Sequence, residues 1–303
     1  MTLPGNLTPL VDGDILAYEL SFAAEAYWKY QHAERNEEVV VPPPFDVVQS
    51  MMDARIPEIV AESGAVGNPE LCFTGNGNFR HFIAATQPYK ADRAEKPFHY
   101  YNTMFILKLM YKHHIKDGLE ADDLMGILLT SYPDKYICIS RDKDLRQIPG
   151  WHCGWEVGKQ PSFGPHKYEG IGEISLTSGK SRKIVGGGMK FFYCQMLMGD
   201  RVDTVPGIPG TGPVTAYNII SPCTTIEECE NAVAEAYKVA YPDNWKNVMI
   251  EQGQLLYMTR EVNKNGQIKL WKPFQEDEEW IDYQTGERTI LPKAGASGEG
   301  NGV

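Results

Sequence analysis

Short apolar runs that end in carboxylates recur along this chain, and no other feature constrains its fold as much. Pro9-Leu10-Val11 leads into Asp12-Gly13-Asp14, and Tyr136-Ile137-Cys138-Ile139-Ser140 leads into Asp142-Lys143-Asp144. Gly118-Leu119-Glu120-Ala121-Asp122-Asp123 opens a third apolar run, Leu124 to Leu129. In open α/β sheets, ligands gather outside the carboxyl ends of the strands. Asp12 and Asp142 are expected at that edge. Glu120, Asp122 and Asp123 are expected in the first turn of a helix, where the dipole favours anions. Glu120 and Asp123 share a face at i,i+3 spacing, and Asp122 diverges unless the first turn is distorted.

The run Asp200-Arg201-Val202-Asp203-Thr204-Val205-Pro206-Gly207-Ile208-Pro209-Gly210-Thr211-Gly212-Pro213 joins two unlike chemistries. Asp200 and Asp203 are hard oxygen ligands suited to Mg²⁺ or Mn²⁺. The Gly/Pro stretch predicts a tight turn that opens a helix at Pro213. Gly207, Gly210 and Gly212 permit close approach of another backbone, and amides at such a helix start can hold a phosphate. A solvated Asp pair before an ordinary interhelical turn is the plainer alternative. So many carboxylates at one edge would repel strongly without cations. Two divalent ions would resolve that, and phosphoryl chemistry uses such a pair.

Five motifs in order resemble the 5′-nuclease (flap endonuclease) superfamily, and most of all the phage-type 5′→3′ exonucleases. They are Leu10-Val11-Asp12-Gly13-Asp14, Pro88-Tyr89-Lys90-Ala91-Asp92-Arg93, Glu120-Ala121-Asp122-Asp123, Ser140-Arg141-Asp142-Lys143-Asp144-Leu145, and Gly199-Asp200 through Gly212. The resemblance implies a PIN-like α/β core, with a central, mostly parallel sheet flanked by helices. It also implies a helical arch and a C-terminal helix–hairpin–helix-type subdomain. The segments expected are a nuclease core at 8–185 with its arch at about 80–118, a DNA-binding subdomain at 186–275, and an extension at 276–303. The resemblance assigns Asp12, Glu120, Asp122 and Asp123 to a first metal, and Asp142, Asp144, Asp200 and Asp203 to a second, some through water. Lys90 and Arg93 would meet the scissile phosphate. Lys96, Lys112, Gly207, Gly210 and Gly212 would contact DNA, and main-chain carbonyls of the Gly/Pro turn would hold a K⁺. The partners implied are duplex DNA with a 5′ end or flap, and RNA–DNA hybrid. The family carries another Asp after its second strand. Here Glu70-Leu71-Cys72-Phe73-Thr74 is followed by Gly75-Asn76-Gly77-Asn78, without a carboxylate. Asn76 and Asp14 are the candidates to compensate.

The net charge of −11 argues against nucleic acid until its distribution is considered. Residues 80–116 hold seven Lys or Arg against two acids, a local charge of +5, interleaved with aromatics. That mixture suits single-stranded nucleic acid, with bases on rings and cations on the backbone. Tyr89, Phe98 and Tyr101 are the stacking candidates, while Phe105, Leu109 and Met110 have helical spacing and are expected in the core. Lys180, Arg182, Lys183 and Lys190 surround Gly186-Gly187-Gly188, which reads as a linker. Helices are expected at 190–198, 224–240 (capped by Thr225) and 244–261, and a strand at 268–271. Residues 294–303 lack apolar mass and are expected to be disordered. Six cysteines include no C-x-x-C pair, which excludes zinc-ribbon and thioredoxin motifs. With no run of 18 apolar residues and no signal pattern at Met1-Thr2-Leu3-Pro4, a cytoplasmic location is expected, that of the bacterial host if the chain is phage-encoded.

Two other functions compete. Asp12-Gly13-Asp14 after a strand resembles the nucleophile/acid pair of haloacid-dehalogenase-type phosphatases, and Gly199 to Asp203 resembles their metal motif. Leu16, where that family has Thr or Val, counts against it, and Glu120-Ala121-Asp122-Asp123 is left unexplained. A DNA-structure-binding protein without catalysis is the third reading, which the missing strand-end carboxylate would allow.

Overall fold

The structure is a computed structural model, describing residues 5–34, 42–91, 95–274 and 276–292. The chain starts with β1 (Thr8–Asp12), which runs straight into α1 (Gly13–Glu34), and α2 (Phe45–Ser63) follows. Next come β2 (Glu70–Thr74), α3 (Arg80–Ile83), α4 (Tyr100–Met110), β3 (Lys112–Lys116), α5 (Ala121–Ser131) and β4 (Tyr136–Ile139). A short 3-10 turn at Asp144–Gln147 leads to β5 (Gly150–Gly154) and β6 (Phe163–Tyr168). A hairpin of β7 (Ile174–Leu176) and β8 (Ile184–Gly186) precedes α6 (Met189–Met198), α7 (Pro213–Ile220), α8 (Ile226–Ala240) and α9 (Trp245–Leu256). The last strands are β9 (Ile268–Leu270), β10 (Glu278–Ile281) and β11 (Arg288–Leu291).

The central sheet has the order β3-β2-β1-β4-β5-β6. Every pair is parallel except β5 with β6. Its middle strands are buried and mostly apolar between their ends because both faces are covered, the usual condition for parallel strands. Successive side chains point to opposite faces. Leu10, Cys72 and Cys138 enter a core shared with α5, α6, α8 and α9. Val11, Leu71, Phe73, Ile137 and Ile139 enter a second core under α1, α2 and α4. The first core runs unbroken from β1 to the C-terminal helices, so packing is continuous across residue 186.

The expected helices and strand appear as α6, α8, α9 and β9, each within a few residues, α9 being the shortest relative to expectation. Thr225 caps α8, its Oγ1 accepting the Glu228 amide at 3.1 Å. Three expectations need correction. The arch is not helical over 80–118: α4 packs on α1 through Tyr100, Thr103 and Leu107, and β3 is an edge strand of the sheet. Of the described residues between α3 and α4, none is helical. The triple glycine is no linker. Gly187 and Gly188 are buried, and a Cβ on Gly187 would come within 2.7 Å of the Arg146 carbonyl and 2.5 Å of the Tyr168 ring. Beyond 276 the chain forms β10 and β11, which complete an antiparallel three-stranded sheet with β9 and bury Trp280 and Ile281. The tail at 294–303 lies outside the described residues. Among the described residues, no helix is long and apolar enough to cross a membrane.

Candidate active site

The parallel strands deliver their carboxylates to one edge, as their direction requires. A cavity of about 190 Å³ opens there, lined by Asp12, Asp14, Lys90, Glu120, Asp122 and Asp142, with Thr74, Tyr18 and Lys96 at its rim. Asp12 ends β1. Its Oδ1 accepts the Ile15 amide at 3.0 Å and its Oδ2 accepts the Ser140 hydroxyl at 3.0 Å. Ser140 also takes the Asp142 amide on its oxygen at 2.9 Å, so one hydroxyl ties the ends of β1 and β4 together. Burial, and then repulsion from Asp14, pushes Asp12 up to about 6. Burial, and then Asp144, pushes Asp142 up to about 8. Asp122 is raised by burial and by the neighbouring Glu120 and Asp123. These shifts mark a desolvated cluster of like charge.

Of the two candidates to compensate for the missing carboxylate, Asp14 is the one that lines the cavity. It sits in the first turn of α1, with Oδ2 accepting the Thr74 amide at 3.2 Å, at the end of β2. Its Oδ1 is buried without a hydrogen-bond partner. A carboxylate from the first strand's helix therefore stands where β2 supplies none. Asn76, the other candidate, instead donates to Asp117 through its amide at 2.9 Å and its side chain at 3.1 Å.

A second acidic group adjoins the first. The Asp142 Oδ1 accepts the Asp144 amide at 2.8 Å, which folds the loop so that Asp144 turns inward. Lys143 Nζ lies 3.3 Å from Asp144 Oδ1 and in hydrogen-bond contact with Asp200. The carboxamide of Gln195 on α6, almost fully buried, donates to Asp144 at 2.5 Å. Asp203 faces Lys90 at 3.5 Å, and Tyr89 donates to Glu120 at 2.9 Å and Asp203 at 3.4 Å. Lys90 itself has φ 54, a left-handed conformation that turns its Nζ back to Glu120 at 2.8 Å. Asp142 lines the first cavity with Asp12 and is tied by hydrogen bond to Asp144 of the second group.

Glu120, Asp122 and Asp123 offer oxygens within 4.8 Å of one another. Their roles separate because Glu120 is the N-cap, with extended φ −82 and ψ 166, outside the helical turn. Glu120 and Asp122 face the cavity, whereas Asp123 turns to other partners. Both its oxygens are held by Arg80, at 2.6 and 2.8 Å, and it also accepts the Thr259 amide at 3.1 Å. Arg80 is fully buried, with further bonds to the Leu255 and Tyr257 carbonyls at 3.0 Å each. It is thus a strut between α5 and α9, not part of a basic surface.

Other expected contacts divide similarly. Lys96 stacks on Tyr100 at 4.3 Å beside the cavity. Lys112 lies at the opposite end of the sheet, paired with Glu70 at 2.9 Å, which corrects its placement on an arch. Arg93 lies outside the described residues. Gly207 is buried and turned inward, its amide donated to Gln252 at 2.8 Å, so its close backbone neighbour is Gly199 and not an external ligand. Gly210 and Gly212 are open, with no atom within 4 Å of a built Cβ, and Pro213 starts α7 as expected. Phe98 and Tyr101 are exposed, but Tyr89 is buried against the carboxylates. Phe105, Leu109 and Met110 are exposed rather than core, because α4 buries its Tyr100–Thr103–Leu107 face.

No protein-family model matches the chain. It is 25% identical over 252 residues to a 5′-3′ exonuclease of Buchnera aphidicola subsp. Schizaphis graminum, covering 80% of this chain and 79% of that one. It is 28% identical over 172 residues to DNA polymerase I of Bacillus caldotenax, covering 53% of this chain and 18% of the polymerase. A 5′-3′ exonuclease of Buchnera aphidicola subsp. Baizongia pistaciae is 28% identical over 164 residues, half of this chain and 49% of the relative. The chain thus spans less than half of two of these relatives. In fold it is similar to the bacteriophage T5 flap endonuclease solved with DNA and metal ions, at TM-score 0.54 and 15% identity, over 84% of this chain and 89% of that one. The chain is thus similar in sequence to 5′-3′ exonucleases and in fold to a flap endonuclease, with carboxylates gathered at one edge of a mostly parallel sheet.

Proposed function

We propose that the chain is a divalent-metal-dependent 5′ nuclease that hydrolyses DNA phosphodiesters from or near a 5′ end. The observation that carries this reading is the convergence of Asp12, Asp14, Glu120, Asp122 and Asp142 on one cavity beside Asp144, Asp200 and Asp203. Donors that are all hard oxygens, a buried and unpartnered Asp14 Oδ1, and carboxylates raised by burial suit Mg²⁺ or Mn²⁺. Asp12, Asp14, Glu120, Asp122 and Asp142 would hold one ion, and Asp144, Asp200 and Asp203 the other. When bound, a metal pair activates water and stabilises the leaving oxygen of an in-line displacement.

The chain's own residues would do the rest. Lys90, held at Glu120 and Asp203, is placed to offset charge on the phosphate oxygens. Tyr89 fixes Glu120 and Asp203 relative to each other, and Ser140 does the same for Asp12 and Asp142. Gly210, Gly212 and the start of α7 would receive a duplex phosphate, with K⁺ on main-chain carbonyls of that turn. Exposed Phe98 and Tyr101 would flank the unpaired 5′ strand.

Incubation with 5′-labelled duplex, a 5′ flap and an RNA–DNA hybrid in Mg²⁺, Mn²⁺ or EDTA tests this. Metal-dependent release from the 5′ end is expected. Undiminished cleavage in excess EDTA overturns the metal account. Release of inorganic phosphate alone supports a phosphatase, and a mobility shift without cutting supports a DNA-binding protein.

A further inference from the structure

A second groove, of about 930 Å³, lies between β6 and the β7–β8 hairpin, with Phe163 and Tyr168 in its wall. It shares one loop with the acidic cavity. That loop turns Asp142 and Asp144 to one side and sends Arg141 and Arg146, at its two ends, to the other. The two guanidinium carbons lie 5.6 and 4.7 Å from the centre of the same Phe163 ring. Arg141 is fastened by the carbonyls of Trp155 and Pro161, at 2.8 and 3.1 Å. Among the described residues, neither arginine has a carboxylate within ion-pair distance, and each Nε is buried without a partner. Two like charges share one ring, and the acids nearby act from farther off: Glu19 on Arg141, and Glu169 and Glu173 in the groove lining.

The surroundings have the same sign. Residues 159–190 contain six Lys or Arg against two Glu in a chain of net charge −11. One of the two, Glu169, is taken by Lys167. Lys180, Arg182 and Lys183 stand exposed at the tip of the β7–β8 hairpin, with no ion pair among the described residues. The basic cluster noted beside the triple glycine is therefore not a linker's decoration, because Gly187 and Gly188 pin this hairpin against the Arg146 loop: the Gly188 amide donates to the Arg146 carbonyl at 2.8 Å.

We propose that this groove binds the phosphate backbone of a single-stranded stretch of nucleic acid, with a base laid against the Phe163–arginine platform. This rests on the nuclease reading above. Cations supply the backbone contacts, and aromatic and guanidinium planes supply sequence-tolerant stacking. An acidic peptide would satisfy the charges but leave the ring platform without use. The loop from Arg141 to Arg146 borders both the groove and the acidic centre.

Anisotropy of a labelled oligothymidylate, titrated in EDTA over a range of salt, tests the assignment. Arg182→Glu with Lys183→Glu, both far out on the hairpin, should weaken binding at least tenfold. The slope of log K against log salt should become shallower by about 1.4, the value for two lost contacts on single strands. Phe163→Ala should weaken binding about tenfold without changing that slope, and melting curves verify folding. Unchanged affinity and slope in both variants overturn the proposal. So does a loss confined to blunt duplex, or a loss confined to a polyglutamate peptide. Cleavage of a short 5′-labelled substrate in Mg²⁺ is read in parallel. If the wild type does not cut, the nuclease reading fails, whereas normal cutting with unaltered oligothymidylate binding sinks the groove alone.

Discussion

The two ends of the central sheet both bury carboxylates, and they treat them in opposite ways. At the amino end, Glu70 receives Lys112 at 2.9 Å, His114 at 2.7 Å, Tyr136 at 2.9 Å and Lys135 at 3.7 Å. Burial alone would raise its pKa, but the Lys112, His114 and Tyr136 bonds hold it down to about 2. At the carboxyl end, Asp12 and Asp142 are pushed up to about 6 and about 8, by burial and by each other's neighbours. One end is a closed account of charge, complete within the protein. The other holds more anions than cations, which is the condition of a site built for an external cation.

Asp142→Asn should widen the contrast most. It removes a proposed ligand while its Oδ1 can still accept the Asp144 amide, so turnover should fall by about a thousandfold or more with folding intact. Single-turnover cleavage with a melting curve measures both, and native-rate cutting would show that the carboxyl end is as structural as Glu70. Lys90→Ala should lower single-turnover cleavage about a hundredfold and DNA affinity far less. Equal losses in both would make Lys90 a general binding cation.

Glu70→Gln should leave cleavage unchanged and cost about 1–3 kcal/mol of stability, the range for charged hydrogen bonds partly exposed to solvent. A loss of activity in the folded variant would break the distinction between the two ends. Their pH responses should also differ in sign. A carboxylate raised on folding is protonated in the native state where the unfolded chain has already ionised, so it favours folding less as pH rises. Metal-free protein should therefore lose stability between about pH 4 and pH 8 through Asp12 and Asp142. Glu70 is depressed, so its contribution is present above the ordinary carboxylate range and is lost as pH falls toward 2. Melting temperatures in EDTA measure this, and a rise from pH 5 to pH 8 would contradict it. Gly212→Val should have the smallest effect. Its φ of −103 and open surroundings leave stability unchanged, while duplex affinity falls severalfold if a phosphate rests there.

The parallel sheet was legible because most of its strands are short apolar runs, and the acids were legible because Asp12 and Asp142 come just after such runs and Glu120 opens one. What escaped notice depended on partners far away in the chain. Asp123 looks like Glu120 and Asp122 until Arg80, 43 residues away, closes on it. Asp14 was one of two candidates to compensate for the missing carboxylate, and only the Thr74 amide, 60 residues on, locates it at the end of β2. Gln195 lies in an apolar helix with no motif around it, yet it grips Asp144. Helical spacing alone placed Phe105 and Leu109 inside, because periodicity reports that a face exists and not which face meets the core.

Gly199 and Gly207 touch backbone to backbone, so closely that a Cβ built on Gly207 would come within 2.3 Å of the Gly199 nitrogen. Between them, Asp200 and Val205 exchange two main-chain hydrogen bonds of 2.8 Å. The loop carrying Asp200 and Asp203 is thereby welded to the outer Gly210–Gly212 turn, with no slack between. The span from that turn to the acidic edge is a fixed length of the fold, like the spacing of a gauge block. A ligand on the outer turn would be set against the carboxylates through main-chain contacts rather than through side chains.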